Sequence, residues 1–136
     1  TVQSTVKDLT ILDSANQRQI NAYIELIKKS TERTMLTQAD VQLITDYEQN
    51  IDTGTMAPYT MVGEKFKKES TLIKKIPVPE KYASAHLQYL NSLQSMGAFY
   101  SDLALQDEDP AKALAAFVSA ESVFSQYQKM LELMRK

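Results

Sequence analysis

One histidine, His86, is the only side chain among the 136 residues whose ordinary pKa lies near neutrality. It could serve as a general base, a pH switch or a haem ligand, and each use needs company. A general base in a triad requires an activated nucleophile and an orienting carboxylate converging on it, and the residues around His86 supply neither. The di-iron centre common in helical bundles needs two Glu-x-x-His pairs. Here there is a single histidine, and Ala83 stands three residues before it. The absence of cysteine removes c-type haem, disulfides, thiolate metal sites and thiol nucleophiles together. A b-type haem on His86 with Met96 or Met130 would need a large apolar cleft, and methionines at core spacing serve more simply to fill gaps. His86 therefore reads first as a structural residue on the apolar face of a helix, one turn before Leu90. Its alternative use, together with Asn91, is to contact a small ligand held between helices.

The remaining charged runs read in the same way. Asp107, Glu108 and Asp109 lack the spaced oxygen ligands, the glycine and the closing glutamate of a calcium loop, so they form a polar turn. Lys65, Lys67, Lys68, Lys74 and Lys75 give one segment a basic surface, interrupted by Glu64 and Glu69. Such a run is ordinarily a solvated face. Contact with an acidic partner or anionic lipid is the sharper alternative, and Lys65, Lys67 and Lys68 are its candidate residues. The formal net charge of −2 argues against nucleic-acid binding, which usually brings a basic excess. No phosphate-binding loop, zincin motif or nucleophile elbow is present. No catalytic residue, metal site or cofactor is predicted.

The elements that must position these residues are helices. Residues 1–13 form an extended lead-in, although Val6, Leu9 and Leu12 could also begin a helix. A first helix is predicted from Ser14, which has capping-box spacing to Gln17, with Ile20, Tyr23, Ile24 and Ile27 as its apolar stripe. Lys28 and Lys29 suit its C-terminal pole, and residues 30–36 read as a polar connection. A short second helix begins after Thr37, with Asp40 completing a second capping-box spacing, and is lined by Val41, Ile44, Tyr47 and Ile51, with Gly54 as its stop. A third starts at Thr55 with Pro58 in its first turn and carries Tyr59, Val62, Phe66 and Ile73. The run Ile76-Pro77-Val78-Pro79 ends it. A fourth opens near Pro79 and presents Tyr82, His86, Tyr89, Leu90, Leu93, Met96, Tyr100 and Leu103, with Gly97 placed for close approach by a neighbouring helix. The fifth has Asp109 as N-cap and Pro110 as first residue. Ala113, Phe117, Ala120, Phe124, Tyr127, Leu131 and Met134 follow at helical spacing, and Arg135 and Lys136 close it. The last two helices, about 25 residues each with a short link, should pair antiparallel. Seven tyrosines without tryptophan are a mild excess, mostly on these stripes.

At this length, with 43% hydrophobic and 24% charged residues, the chain suits one folded domain spanning residues 1–136. No run is long and apolar enough for a membrane span. The first residue is Thr1, which leaves room for a targeting or anchoring segment ahead of it. The fold class expected is all-α: an up-and-down bundle of four main helices plus one short helix, with a long C-terminal antiparallel hairpin.

Two sets of residues carry a likeness. One is Asp8-Leu9-Thr10-Ile11-Leu12-Asp13 leading into a helix with Tyr23. The other is Ile76-Pro77-Val78-Pro79, then His86-Leu87, Leu90-Asn91-Ser92-Leu93, Asp109-Pro110 and Lys112-Ala113-Leu114. Together they resemble a family of uncharacterised helical proteins from small-genome, candidate-phylum bacteria, in which a comparable domain tends to follow an N-terminal membrane anchor. The resemblance implies an extracytoplasmic, membrane-anchored domain, touching the membrane only through a segment absent from this sequence, and says nothing of catalysis. The function expected is a non-enzymatic interaction or scaffold domain with a protein partner. The alternatives are a sensor with a ligand site near His86 and, behind it, an enzyme. Ile24, Phe66, Leu90, Leu93, Phe117, Phe124 and Leu131 should be the most buried residues. Truncating Phe117 or Phe124 to alanine should then cost about 3–5 kcal/mol, and a thermal melt that hardly moves would count against the last helix.

Overall fold

Three of the helix starts described below are set by side chains that catch the free N–H groups of a first turn. The computed structural model describes residues 3–135; Thr1, Val2 and the expected closing role of Lys136 lie outside them. A two-residue strand β1 (Ile11–Leu12) precedes α1 (Gln17–Arg33). Two capping-box spacings compete there, and the later one wins. Asn16 accepts from the Gln19 N–H and Gln19 caps the Asn16 N–H, both at 2.9 Å, so the helix starts three residues after Ser14. Thr37 and Asp40 form their box as expected and open α2 (Gln38–Thr45). At Asp46 the backbone leaves helical geometry, and α3 (Tyr47–Thr53) continues to Gly54, whose φ of 70° ends it. The single second helix expected is thus two.

α4 (Ala57–Lys75) is preceded by Met56 and not by a Thr55 cap. Strand β2 (Val78–Pro79) pairs in parallel with β1, Ile11 opposite Val78 and Leu12 opposite Pro79. The prolines that stop α4 therefore also bind the extended lead-in. A 3₁₀ turn at Glu80–Tyr82 leads into α5 (Ala83–Leu103), so this helix opens past Pro79. Asp109 caps α6 (Pro110–Val118) through the Lys112 N–H. The last helix then breaks at Ser119. Its Oγ donates to the Ala116 carbonyl at 2.7 Å, and its N–H is shared between Ala115 and Ala116. Such back-bonding by serine favours a bend, and α7 (Ala120–Met134) resumes beyond it.

The molecule is all-α, 77% helical, with α1, α4, α5 and the α6–α7 pair as its main members and α2–α3 at one end. α5 is the hub: it makes the most extensive interface with α4 and the next with α7 and α6. Asp102 lies near Lys112, Phe99 on Phe124, and Ala85 beside Leu133. This order requires α5 and α6–α7 to run antiparallel, as expected. α1 lies over the seam between the others.

Phe66, Leu90 and Leu93 are fully buried and Leu131 nearly so. Ile24 is not: it is 47% exposed. The buried face of α1 continues as Tyr23, Ile27, Ser30, Thr31 and Thr34, which leaves Ile24 at its edge. Residues 30–33 are therefore helix and not a connection, with Ser30 and Thr31 facing the core. Phe117 and Phe124 are half-buried against the core, so the alanine cost expected for them belongs to Phe66.

Gly97 has the neighbour its position predicted. A Cβ there would meet Lys67 Cγ at 2.8 Å and the Gly63 carbonyl at 3.3 Å, while one on Gly63 would meet Ser101 Oγ at 2.5 Å and the Gly97 carbonyl at 3.1 Å. The two glycines let α4 and α5 touch backbone to backbone. Gly63→Ala gains about 1 kcal/mol of helix propensity and should lose about 1–3 kcal/mol by overpacking. A lowered Tm by calorimetry is expected, and a rise would show that the helices do not approach so closely.

Candidate functional site

Several buried polar side chains reach carbonyls in the last turns of neighbouring helices, where intrahelical donors run short. His86 is 0% exposed. Its Nε2 lies 3.0 Å from the carbonyl of Ile73, in the last turn of α4, and its Nδ1 lies 2.7 Å from the Tyr23 hydroxyl. A carbonyl only accepts, so Nε2 carries the proton and Nδ1 accepts from Tyr23. Burial lowers the His86 pKa, and the Ile73 hydrogen bond only partly opposes it. The ring is neutral, wedged beside Tyr23, and has no nitrogen left for a substrate or haem iron. Met96 is itself buried.

Tyrosines repeat this arrangement. The Tyr127 hydroxyl donates to Thr34, the C-cap of α1, at 2.9 Å. Tyr59 donates to Leu43 in the last turn of α2 at 2.5 Å, and Tyr47 to Leu103, the last residue of α5, at 2.6 Å. Tyr100 differs in donating to a carbonyl of a first turn, that of Asp40 in α2, at 2.8 Å. Burial raises the pKa of all four phenols, which keeps them protonated as donors.

A second network joins α1, α4 and α5. Ser30 Oγ donates to Glu69 Oε2 at 2.7 Å, so the Tyr89 hydroxyl, also at 2.7 Å, donates to Ser30. Arg33 closes on Glu69 with two bonds of 2.7 and 3.0 Å. Burial alone would raise the Glu69 pKa, but the bonds from Arg33 and Ser30 outweigh it and hold the carboxyl below its ordinary value. Glu69 had been counted as an interruption of a basic surface; it is 5% exposed and structural.

The other candidate residues do not gather around His86. Asn91 faces the lead-in: its Oδ1 accepts from the Ser4 N–H at 2.8 Å, its Nδ2 donates to the Ser4 carbonyl at 3.3 Å, and Gln94 donates to the Ser4 hydroxyl. It holds Ser4 as a neighbouring strand would. Lys65 is paired with Asp40 at 2.9 Å and lies over the Phe66 ring. The Lys67 stem packs toward Gly97, and Lys68 is exposed. Among the described residues, no three His, Asp or Glu side chains are grouped to hold a metal ion.

Several clefts open on the surface among the described residues, and three of them bear on the candidate residues. A polar one of about 240 Å³ runs between Asn91, Ser92, Met96, Gln126 and Tyr127. A smaller apolar one, about 150 Å³, lies among Tyr23, Ile24, Tyr82, Leu133 and Met134. A third, about 300 Å³, lies between α3 and α6 and is lined by Tyr47, Glu48, Ile51, Pro110, Leu114 and Phe117. Beside it the outer face of α6 carries Leu114, 62% exposed, and Val118, 74% exposed. The pattern of expected core residues passed over this face. Its signal is that α6 holds one charged residue, Lys112, in nine.

The buried histidine sets a pH dependence with a definite sign. Its folded pKa lies below the unfolded value of about 6.5. Above that pH both states are neutral and stability is full. As pH falls through it, the unfolded chain binds a proton that the folded chain refuses, and stability drops until the folded pKa is reached. Glu69, with its lowered pKa, adds a separate loss below the ordinary carboxyl range. Urea midpoints should fall between about pH 7 and pH 5. In His86→Gln, which is less stable throughout, they should stay level over that window. A flat wild-type profile would mean that His86 is not held neutral.

Among the described residues, no helix is long and apolar enough to cross a membrane. The chain matches no family model, no curated protein and no solved structure.

Proposed function

We propose that this bundle is a non-enzymatic interaction or scaffold domain, held at the extracytoplasmic face of a bacterial membrane through a segment outside this sequence. The observation that carries the interaction role is the face formed by α6 and the groove beside it. Leu114 and Val118 stand one helical turn apart in solvent on a helix with almost no charge. Contiguous exposed apolar surface of this kind marks contact sites more often than isolated exposed residues do. The way the buried ionisable groups are used supports the same role. His86 and Glu69 spend their hydrogen bonds on holding helices together. The extracytoplasmic placement rests on the family resemblance alone. A small-ligand sensor is the second reading, favoured by the apolar cleft beside Tyr23, the hydrogen-bond partner of His86.

A photo-crosslinking residue placed at 114 or 118 in the source cells should give a discrete adduct, while the same residue at exposed Arg18 on α1 should not. Protease added to spheroplasts should cleave the domain. Absence of adducts at both α6 positions would overturn the interaction role, and full protection from protease would overturn the placement.

A further inference from the structure

We infer that the groove between α3 and α6 receives a basic, amphipathic segment of a partner protein. The inference rests on the interaction role proposed above and adds the chemistry of what is bound. The floor of the groove is apolar. Tyr47 is 2% exposed and stacks on Phe117 with ring centres 5.1 Å apart. Ile51 and Leu114 form the walls, and Val118 extends the apolar surface outward. Apolar side chains spaced along one face of a helix are what such a groove accepts.

The rim selects among apolar partners by charge. Glu48 and Asp52 project from α3, and Asp107, Glu108 and Asp109 form the turn that enters α6; all five are exposed. Across the two stretches that bound the groove, 46–56 and 102–118, seven carboxylates stand against one ammonium, Lys112. That ammonium already lies 3.8 Å from Asp102. The chain as a whole is only −2, so negative charge is concentrated at this end of the bundle and the rest is net positive. A field of this sign repels anionic lipid headgroups and acidic peptides, and it draws lysine- and arginine-bearing segments toward the apolar floor. A second copy presenting this same face would bring carboxylates against carboxylates, which disfavours a symmetric dimer here.

The test uses the intact domain and a synthetic helical peptide with leucines on one face and lysines on the other. Its partner probe carries glutamate in place of every lysine. Fluorescence anisotropy should show binding of the lysine peptide and not of the glutamate peptide. Raising NaCl from about 0.02 to 0.5 M should weaken it by about tenfold or more. Neutralising the rim (Glu48→Gln, Asp52→Asn and Glu108→Gln together) should have a similar effect, and so should Leu114→Ser. Neutralising exposed carboxylates elsewhere (Glu25→Gln, Glu32→Gln and Glu132→Gln) should leave affinity unchanged. Amide shifts in NMR spectra should cluster at Ile51, Leu114 and Phe117. The inference falls if the lysine peptide does not bind, if the two neutralised variants weaken it equally, or if the shifts map elsewhere. It also falls if the domain self-associates in sedimentation through this face, with the association lost in Leu114→Ser. Persistent crosslinks at 114 and 118 without peptide binding would reject the basic partner and keep the interaction role; loss of both would reject the two together.

Discussion

Helix carbonyls that run out of intrahelical donors must be satisfied by something, and in this bundle buried aromatic rings do it. Thr34, Leu43, Ile73 and Leu103 lie at or near the C-terminal ends of α1, α2, α4 and α5. Each receives a hydrogen bond from Tyr127, Tyr59, His86 or Tyr47 respectively, and the Ile73 carbonyl shares its bond with the Ile76 N–H that caps α4. In every case the donor ring belongs to a different helix, so one bond both satisfies the carbonyl and fixes where two elements meet. Net, such a bond contributes about 1 kcal/mol, but leaving a buried carbonyl unpaired costs more, about 1–3 kcal/mol. The arrangement therefore penalises wrong registers more than it rewards the right one. It also gives the tyrosine excess a purpose: the rings supply apolar area to the core and a donor at its edge.

The close contact of α4 and α5 is the second constraint, and it works with the first. Gly63 and Gly97 bring the two backbones together, and Phe66 stacks near Tyr100 on the same interface. With those helices fixed, α1 can lay Ser30 and Thr34 into the interior, because Tyr89, Glu69 and Tyr127 already wait there as partners, while Thr31 donates back to the Lys28 carbonyl of its own helix. Polar residues this deep are tolerable only when so partnered.

What could be read without coordinates follows from the same physics. The buried face of α5 from His86 to Leu103 was legible, because one long helix with large apolar residues at helical spacing leaves little ambiguity. The Asp109–Pro110 start and the Gly54 stop were legible because cap and turn chemistry is local. Ser30 and Glu69 were not, since a buried polar residue announces itself only through a partner far along the chain. Ile24 was placed wrongly because residues 20–27 alone fit two phases, and only the continuation through Ser30 and Thr34 selects the right one. The break at Ser119 left no mark in apolar spacing. For the candidate site, the structural use of His86 was foreseeable, whereas the Asn91 hold on Ser4 spans 87 residues and had no sequence signature. The groove beside α6 was missed because exposed Leu114 and Val118 fall between positions that fit the core stripe.

The break at Ser119 separates α6 from the rest of its column, and α6 reaches the interior through Ala113, Ala116 and Phe117, whose ring stacks on Tyr47. The outward residues Leu114 and Val118 are thus carried on a short stretch with its own cap and its own stop. The exposed apolar face and the column that seats α7 are written in separate parts of the chain, so either outward side chain can be exchanged at little cost to the packing of α7.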